Sequence, residues 1–176
     1  MLCAKCGKNN SESNLKHFGS LCRFCFCTLI EKRTRKYIRI SKFFRKNDKL
    51  LIVGDLCFYL VQSIIKGLPV KIVKISKIKN IKGYKTVIPW TLDDEVNSFL
   101  GSVFSNKKTK ENDCIKLLKT ITDEEAALFA RFKKIKFTPN KKNKDIQEML
   151  DRLEERYPGS KFGLLKSSGE IKNILH

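Results

Sequence analysis

Cys3, Cys6, Cys22 and Cys25 are spaced as two C-x2-C pairs separated by fifteen residues, and no other group of side chains in this 176-residue chain makes so specific a chemical statement. Each pair can put two thiolates on one tight turn, and the stretch between can fold back so that the pairs meet in a tetrahedron. That is the geometry of a structural zinc site. Four protein ligands leave no position for water, so the ion folds the module and does no chemistry. Gly7 follows the first pair, where a knuckle turn readily uses a residue without Cβ. An iron–sulfur cluster can use the same thiolates, but the two-knuckle spacing favours zinc. The bland alternatives are disulfides or free core thiols. No signal peptide precedes Cys3, so a reducing compartment is expected, in which disulfides are disfavoured. Cys27 and His17 are spare ligand candidates, the first beside an already complete set and the second inside the loop of the module. Cys57 and Cys114 read as buried or incidental thiols rather than a reactive pair.

Charge is the second signal. Lys and Arg number 37 against 18 Asp and Glu, a formal net charge of +19. A field of that sign attracts polyanions, nucleic acid foremost. A general excess of Lys can also be compositional, so clustering decides. Between Lys32 and Lys49 nine bases meet one acid, Asp48. At helical period Phe26, Ile30, Tyr37, Ile40 and Phe44 form an apolar stripe, while Arg35, Arg39, Lys42 and Lys46 fall on another face. A helix that is merely solvated mixes signs to gain i,i+4 pairs. A stripe of one sign suits phosphates, which makes Lys32, Arg35, Arg39, Lys42 and Lys46 the candidate RNA-binding residues.

These groups need elements to hold them. The length suits one core domain plus a small appendage, and 41% apolar residues with 10% aromatics describe a globular chain. No apolar run approaches the roughly 20 residues that span a bilayer, so a soluble, cytoplasmic protein with no membrane partner is expected. Residues 1–27 read as the metal module and 28–49 as a basic connecting segment, helical to residue 46. Residues 50–176 read as an α/β domain. Within it Leu50–Val53 is a buried strand, followed through Gly54 by a helix near 56–66 that Gly67 and Pro69 end. Strands are expected at 70–75, 86–88 and 115–118, with Pro89-Trp90 after the second of these. Helices are expected at 92–104, 123–133, 144–156 and 161–175, and charged loops at 105–112 and 138–143. Thr122 should cap the helix at 123, with Asp123, Glu124 and Glu125 in its positive first turn. Strands alternating with helices predict a parallel sheet.

The order of these pieces resembles the tRNA 2-thiolation proteins of the PP-loop ATP pyrophosphatase superfamily. The resemblance is carried by the four-cysteine module, by Ile30-Glu31-Lys32-Arg33 with Arg35-Lys36 and Ile38-Arg39, and by the strand–turn–helix at 50–65. It continues through Thr91-Leu92-Asp93-Asp94-Glu95-Val96, Thr122-Asp123-Glu124-Glu125-Ala126, and Tyr157-Pro158-Gly159-Ser160-Lys161-Phe162. It implies a zinc-ribbon-like module followed by a reduced PP-loop, Rossmann-like parallel sheet with helices on both faces. It also implies a tRNA partner.

The departures are as informative. Active members of that family carry a Ser-Gly-Gly-x-Asp-Ser turn after the first strand, whose N–H groups wrap the pyrophosphate of ATP. Here the turn reads Gly54-Asp55-Leu56-Cys57-Phe58, with one glycine and no hydroxyl. An anion nest needs successive small residues with free N–H groups, so neither nucleotide binding nor a cofactor site is expected here. The family's catalytic cysteines also lack counterparts, including the one expected near Thr138-Pro139. Asp93 and Asp94 then read as first-turn acids of an ordinary helix behind an N-cap at Thr91. No catalytic residue is assigned. The leading expectation is a non-catalytic relative of the thiolation enzymes, either a tRNA-binding protein or the partner of a catalytic PP-loop paralogue. A zinc-dependent nucleic-acid- or ribosome-associated protein unrelated to thiolation accounts for the metal and the charge, though not for the sheet. An enzyme of different chemistry lacks a His/Asp/Cys constellation, since His17 and His176 are the only histidines.

Overall fold

A computed structural model describes residues 1–8, 11–15, 19–106 and 113–174, with side chains as far as Glu170. His17 and nearly all of the expected 105–112 loop, including Lys107 and Lys108, lie outside the described residues, as does His176. The chain divides into two compact units: Met1–Thr28, Leu92–Lys110 and Asn140–His176 in one, Leu29–Thr91 and Glu111–Pro139 in the other.

The first unit starts with the antiparallel pair β1 (Ser13–Leu15) and β2 (Gly19–Leu21), which leads into α1 (Arg23–Ile40). It also contains α3 (Leu92–Ser105), α5 (Lys144–Arg156) and α6 (Ser160–Ile174). Leu92, Val96, Ile146 and Leu150 make the buried seam of these three helices, with Leu100, Phe162 and Leu165 against it. The amphipathic period of α5 puts Ile146 and Leu150 one turn apart, so both reach the same neighbours. Asn143 caps α5 by accepting from the Ile146 N–H at 3.1 Å. Glu154 receives the N–H groups of Gly159 (2.7 Å) and Lys161 (3.0 Å), satisfying donors at the start of α6 that its own turns cannot.

The second unit holds a four-stranded sheet in the order β4-β3-β5-β6, with every neighbouring pair parallel. Its strands are β3 (Lys49–Val53), β4 (Lys71–Ile75), β5 (Lys85–Thr91) and β6 (Cys114–Leu118). Its helices are α2 (Asp55–Ile64) and α4 (Asp123–Lys133) with the body of α1. The sheet is thus the helix-flanked parallel sheet that the sequence predicts. Leu50, Leu51 and Ile52 are buried on consecutive positions, as a central parallel strand covered on both faces requires. Edge strand β4 carries exposed Lys71 and Lys74, charges that discourage further strand pairing. Thr122 and Glu125 form a reciprocal capping box at α4, with bonds of 3.1 and 3.0 Å. Tyr59 of α2 meets Phe129 of α4 edge-on at 6.1 Å. Lys133 lies over both rings and pairs with Glu31 of α1 at 3.0 Å.

Two expectations need correcting. Strand β5 does not stop at residue 88 but runs on through Pro89-Trp90 to Thr91. It can do so because pairing with β3 ends at Val87 and the register with β6 shifts between Ile88 and Thr91, so the missing N–H of Pro89 falls in an irregularity. The basic helix ends at Ile40, not at residue 46. Lys42 adopts a left-handed conformation (φ 49°), and the Lys42 and Phe43 N–H groups bond back to the Arg39 and Ile38 carbonyls. Phe43 packs on Tyr37 at 5.2 Å. These bonds and that contact make a Schellman termination with lysine where glycine is usual. The buried face of α1 is consequently Phe26, Ile30, Thr34 and Ile38, while Ile40 is 65% exposed.

Candidate functional site

The four cysteines converge. Their Sγ atoms all lie within 4.8 Å of one another, with Cys6 and Cys22 at 3.8 Å. Local structure explains how. The Gly7 N–H closes the first knuckle onto the Cys3 carbonyl at 2.9 Å, and Gly7 holds φ 71°, which residues with a Cβ resist. The Ala4 N–H donates to the Ser20 carbonyl at 2.8 Å, tying that knuckle to β2. β2 delivers Cys22 to the start of α1, and the first turn of the helix brings Cys25 back beside it, its N–H 3.5 Å from the Cys22 sulfur. Cys3, Cys22 and Cys25 are buried and Cys6 is exposed.

Electrostatics divide the thiols. The backbone N–H of Cys22, more than any other group, draws Cys3 down to about 6, and neighbouring Cys6 and Lys5 groups help. Burial, reinforced by the sulfurs around it, pushes Cys25 up to about 12. Four sulfurs this close can all be thiolates only around a cation, so the donor set fits a thiolate-bound metal. Cys27 is buried in α1 and stands outside this set. Cys57 is fully buried in α2 and its thiol is pushed up by that burial. Cys114 is half-buried and also raised, by burial first and Asp113 second.

Lys32, Arg35 and Arg39 share one face of α1, Lys42 sits in the turn that ends it, and Lys46 lies in the loop before β3. All five are exposed, and among the described residues none has an ion-pair partner. Their neighbour Arg33 is different: it donates to Glu125 at 2.5 Å and to the Thr120 carbonyl, and so belongs to the core.

The turn after β3 lies at the carboxyl end of the strands, where open α/β sheets bind ligands. Gly54 holds φ 80° and α2 starts at Asp55 with no side-chain cap. A cavity of about 340 Å³ opens here between Gly54, Asp55, Leu56, Lys74, Pro89 and Thr138. Asp55 forms an ion pair with Lys74, whose ammonium also lies 5.9 Å from the centre of the Phe58 ring. Sequence reading missed Lys74, because a pair made between the start of α2 and strand β4 leaves no local pattern.

Asp93 and Asp94 are buried at the start of α3 and matched from the C-terminal segment. Lys161 reaches Asp93 at 2.6 Å and also Asp151 at 2.7 Å. Lys142 reaches Asp94 at 2.7 Å, and the Asn140 amide donates to the same carboxylate at 2.8 Å. Burial alone would lower the Lys161 pKa, but Asp93 and Asp151 together outweigh it and the ammonium is held above its usual range. Thr91, expected as an N-cap, donates its hydroxyl to Asp123 at 2.7 Å.

No protein-family model matches the chain, and no curated protein does. Among solved structures the chain is similar to the U34-tRNA thiolase NcsA from Methanococcus maripaludis, described with its 4Fe–4S cluster. The TM-score is 0.70, covering 97% of this chain and 87% of that one, at 18% identity. The likeness is one of fold. It joins a thiolase-like α/β architecture to an N-terminal four-cysteine cluster in one chain.

Proposed function

We propose that this protein binds tRNA as a relative of the tRNA thiolation enzymes that lacks their nucleotide chemistry, acting alone or as the partner of a catalytic PP-loop paralogue. The Asp55–Lys74 pair carries the proposal. The resemblance puts a pyrophosphate cradle at this turn. A carboxylate in the first turn of α2 already uses the positive helix end, and it pairs with Lys74, one of the two lysines at the cavity, the other being Lys136. A polyphosphate arriving here would meet the charge of Asp55 and the side chain of Leu56 at the entrance to the first turn of α2. Asp93 and Asp94, which the resemblance counts among nucleotide-site acids, are each bonded to a lysine, Lys161 and Lys142 respectively. No exposed thiol lines the cavity.

In this reading the metal is zinc. Four thiolates about 2.3 Å from one tetrahedral ion sit about 3.8 Å apart, and Cys6 and Cys22 already have that spacing. A cubane cluster spreads its ligands over four irons and needs wider separations than these. Zinc bound here has no open position, so it supplies folding energy and rigidity to residues 1–27. The exposed cations from Lys32 to Lys46 then follow the tRNA backbone from this anchored end.

Calorimetry with Mg–ATP and a pyrophosphate-release assay in the presence of tRNA test the proposal. The expected result is tRNA binding with no saturable ATP heat and no pyrophosphate. Saturable, magnesium-dependent ATP binding overturns it. A native pull-down read for RNA and for a full-length PP-loop paralogue separates the stand-alone from the partner version.

A further inference from the structure

A second and larger cavity, about 730 Å³, lies at the opposite end of the strands, where β5 and β6 begin. It is built from the turn after α1, the connection between β4 and β5, and the first residues of β5 and β6, all within one unit. Its size suits a bound small group, for which cavities of roughly 300–1,000 Å³ are usual. Two aromatic residues, Phe43 and Tyr84, line it. Phe43 is braced edge-on by Tyr37, and the Lys49 ammonium lies 5.8 Å from the centre of the Tyr84 ring. The Thr86 hydroxyl donates to the Lys79 carbonyl at 2.9 Å, pinning the β4–β5 connection to the mouth of β5.

The charged and polar groups of the lining fall into three kinds, the first being one exposed carboxylate, Asp113, at the foot of β6. Lys85 is consumed by the fold, bonded to Asp48 at 2.6 Å and to the Phe43 carbonyl at 3.0 Å. The side chains of Lys42, Lys79 and Asn80 are exposed and have no hydrogen-bond or ion-pair partner among the described residues. Rings, an amide that both donates and accepts, two uncommitted ammonium groups and the Asp113 carboxylate, an acceptor for a base edge, thus surround one space. A nucleotide matches this set: its base stacks on aromatic rings and bonds through its edge, and its phosphate takes the cations. An acidic peptide would use the cations and leave the rings without a role.

We propose that this cavity receives one unpaired nucleotide of a single-stranded RNA segment, the base against Phe43 and Tyr84 and the phosphate on Lys42 and Lys79. The proposal rests on the RNA-binding reading above and places its base-contacting site at the amino ends of β5 and β6, away from Asp55. Only single-stranded RNA can insert a base, so a duplex is the internal control.

The test uses a labelled oligouridylate and a blunt RNA duplex of equal length, with anisotropy as the readout. Tyr84→Ala should weaken oligouridylate binding roughly five- to a hundredfold, the range that loss of one base–aromatic stack produces, and leave duplex binding within about twofold. Lys79→Ala with Asn80→Ala, confined to exposed side chains, should show the same selectivity without disturbing the fold. Bromouridine in the oligonucleotide should crosslink to the peptides containing Phe43 or Tyr84. Equal weakening of both RNAs, or crosslinks confined to other peptides, overturns the site. Polyglutamate displacing the oligouridylate at equal charge concentration also overturns it, in favour of an acidic peptide. If wild-type protein binds neither RNA, the broader reading fails as well. If duplex binding depends on Arg35 and Arg39 while oligouridylate binding ignores Tyr84, Lys79 and Asn80, only the cavity proposal falls.

Discussion

Reversing Arg35 and Arg39 to glutamate probes the proposed tRNA contact most directly. Five exposed cations without partners, Lys32, Arg35, Arg39, Lys42 and Lys46, define the surface. If each neutralises one phosphate, with about 0.7–0.9 of log–log slope per phosphate, the salt slope of tRNA binding should be about 3.5–4.5. Raising salt fourfold should then weaken binding by roughly one hundred- to five hundredfold. Removing two of the five contacts should flatten the slope by about 1.4–1.8 and weaken binding most at low salt. The control is Lys144→Glu with Lys166→Glu, at positions whose side chains are 88% and 82% exposed on α5 and α6. Both double variants lower the formal net charge from +19 by four, because each reversal removes two charges. Filter binding of tRNA across a salt series reads both slopes. Equal flattening by the two variants would mean that diffuse charge does the binding, and the reasoning from α1 would be refuted. Unchanged tRNA binding with loss of a co-purifying paralogue would make this face of α1 a protein interface.

The metal centre predicts one zinc per chain in protein purified under reducing conditions, lost in Cys22→Ser and kept in Cys27→Ser. Elemental analysis finding iron and sulfide in its place would refute the zinc assignment. Because binding must strip the proton from Cys25, which burial holds near 12, zinc affinity should fall as pH falls. Lys161→Met should destabilise the fold by about 3–5 kcal/mol, since it removes the buried cation that pairs with Asp93, and adding Asp93→Asn should recover much of that loss in urea unfolding. The raised Lys161 pKa sets the sign of its pH effect. Its contribution is fully present below the ordinary value of 10.5 and is lost as pH rises through the higher folded value, so wild type should show an alkaline loss of stability that the double variant lacks.

What the sequence disclosed and what it withheld divide along the range of the interactions. The cysteine cluster was legible because each knuckle places its two ligands within one turn, and Thr122 with Glu125 was legible because a capping box spans four residues. The end of α1 was not. Helix stops are read from glycine, asparagine or proline, and here lysine at position 42 takes the left-handed conformation, held by Phe43 on Tyr37. The helical pattern therefore read on through residue 46 and turned Ile40 inward. The pairing of Asp93 with Lys161 joins residues 68 apart, and nothing local to either announces it. The aromatic cavity at the start of the sheet was invisible for the same reason, since three separate segments meet there.

The net charge can be divided by following the acids to their partners. Glu125 is held by Arg33, Asp48 by Lys85, Asp55 by Lys74, Glu31 by Lys133, and Asp93 and Asp94 by Lys161 and Lys142. These pairs fasten the fold and consume the bases they use. With 37 bases for 18 acids, pairing cannot absorb the rest. Like charges left together repel and destabilise the compact state, and the segment from Lys32 to Lys46 concentrates seven exposed bases, Lys36 and Arg45 among them. A bound polyanion relieves that repulsion and stabilises the form that binds it. tRNA should therefore raise the thermal midpoint, and the rise should shrink as salt increases. Arg35→Glu with Arg39→Glu should do the opposite to the free and bound states: the unliganded variant should melt at or slightly above the wild-type temperature, and its shift with tRNA should be smaller. An unliganded variant that melts well below wild type would show that the two arginines are needed by the fold itself, and the argument that they are held ready for phosphate would fail.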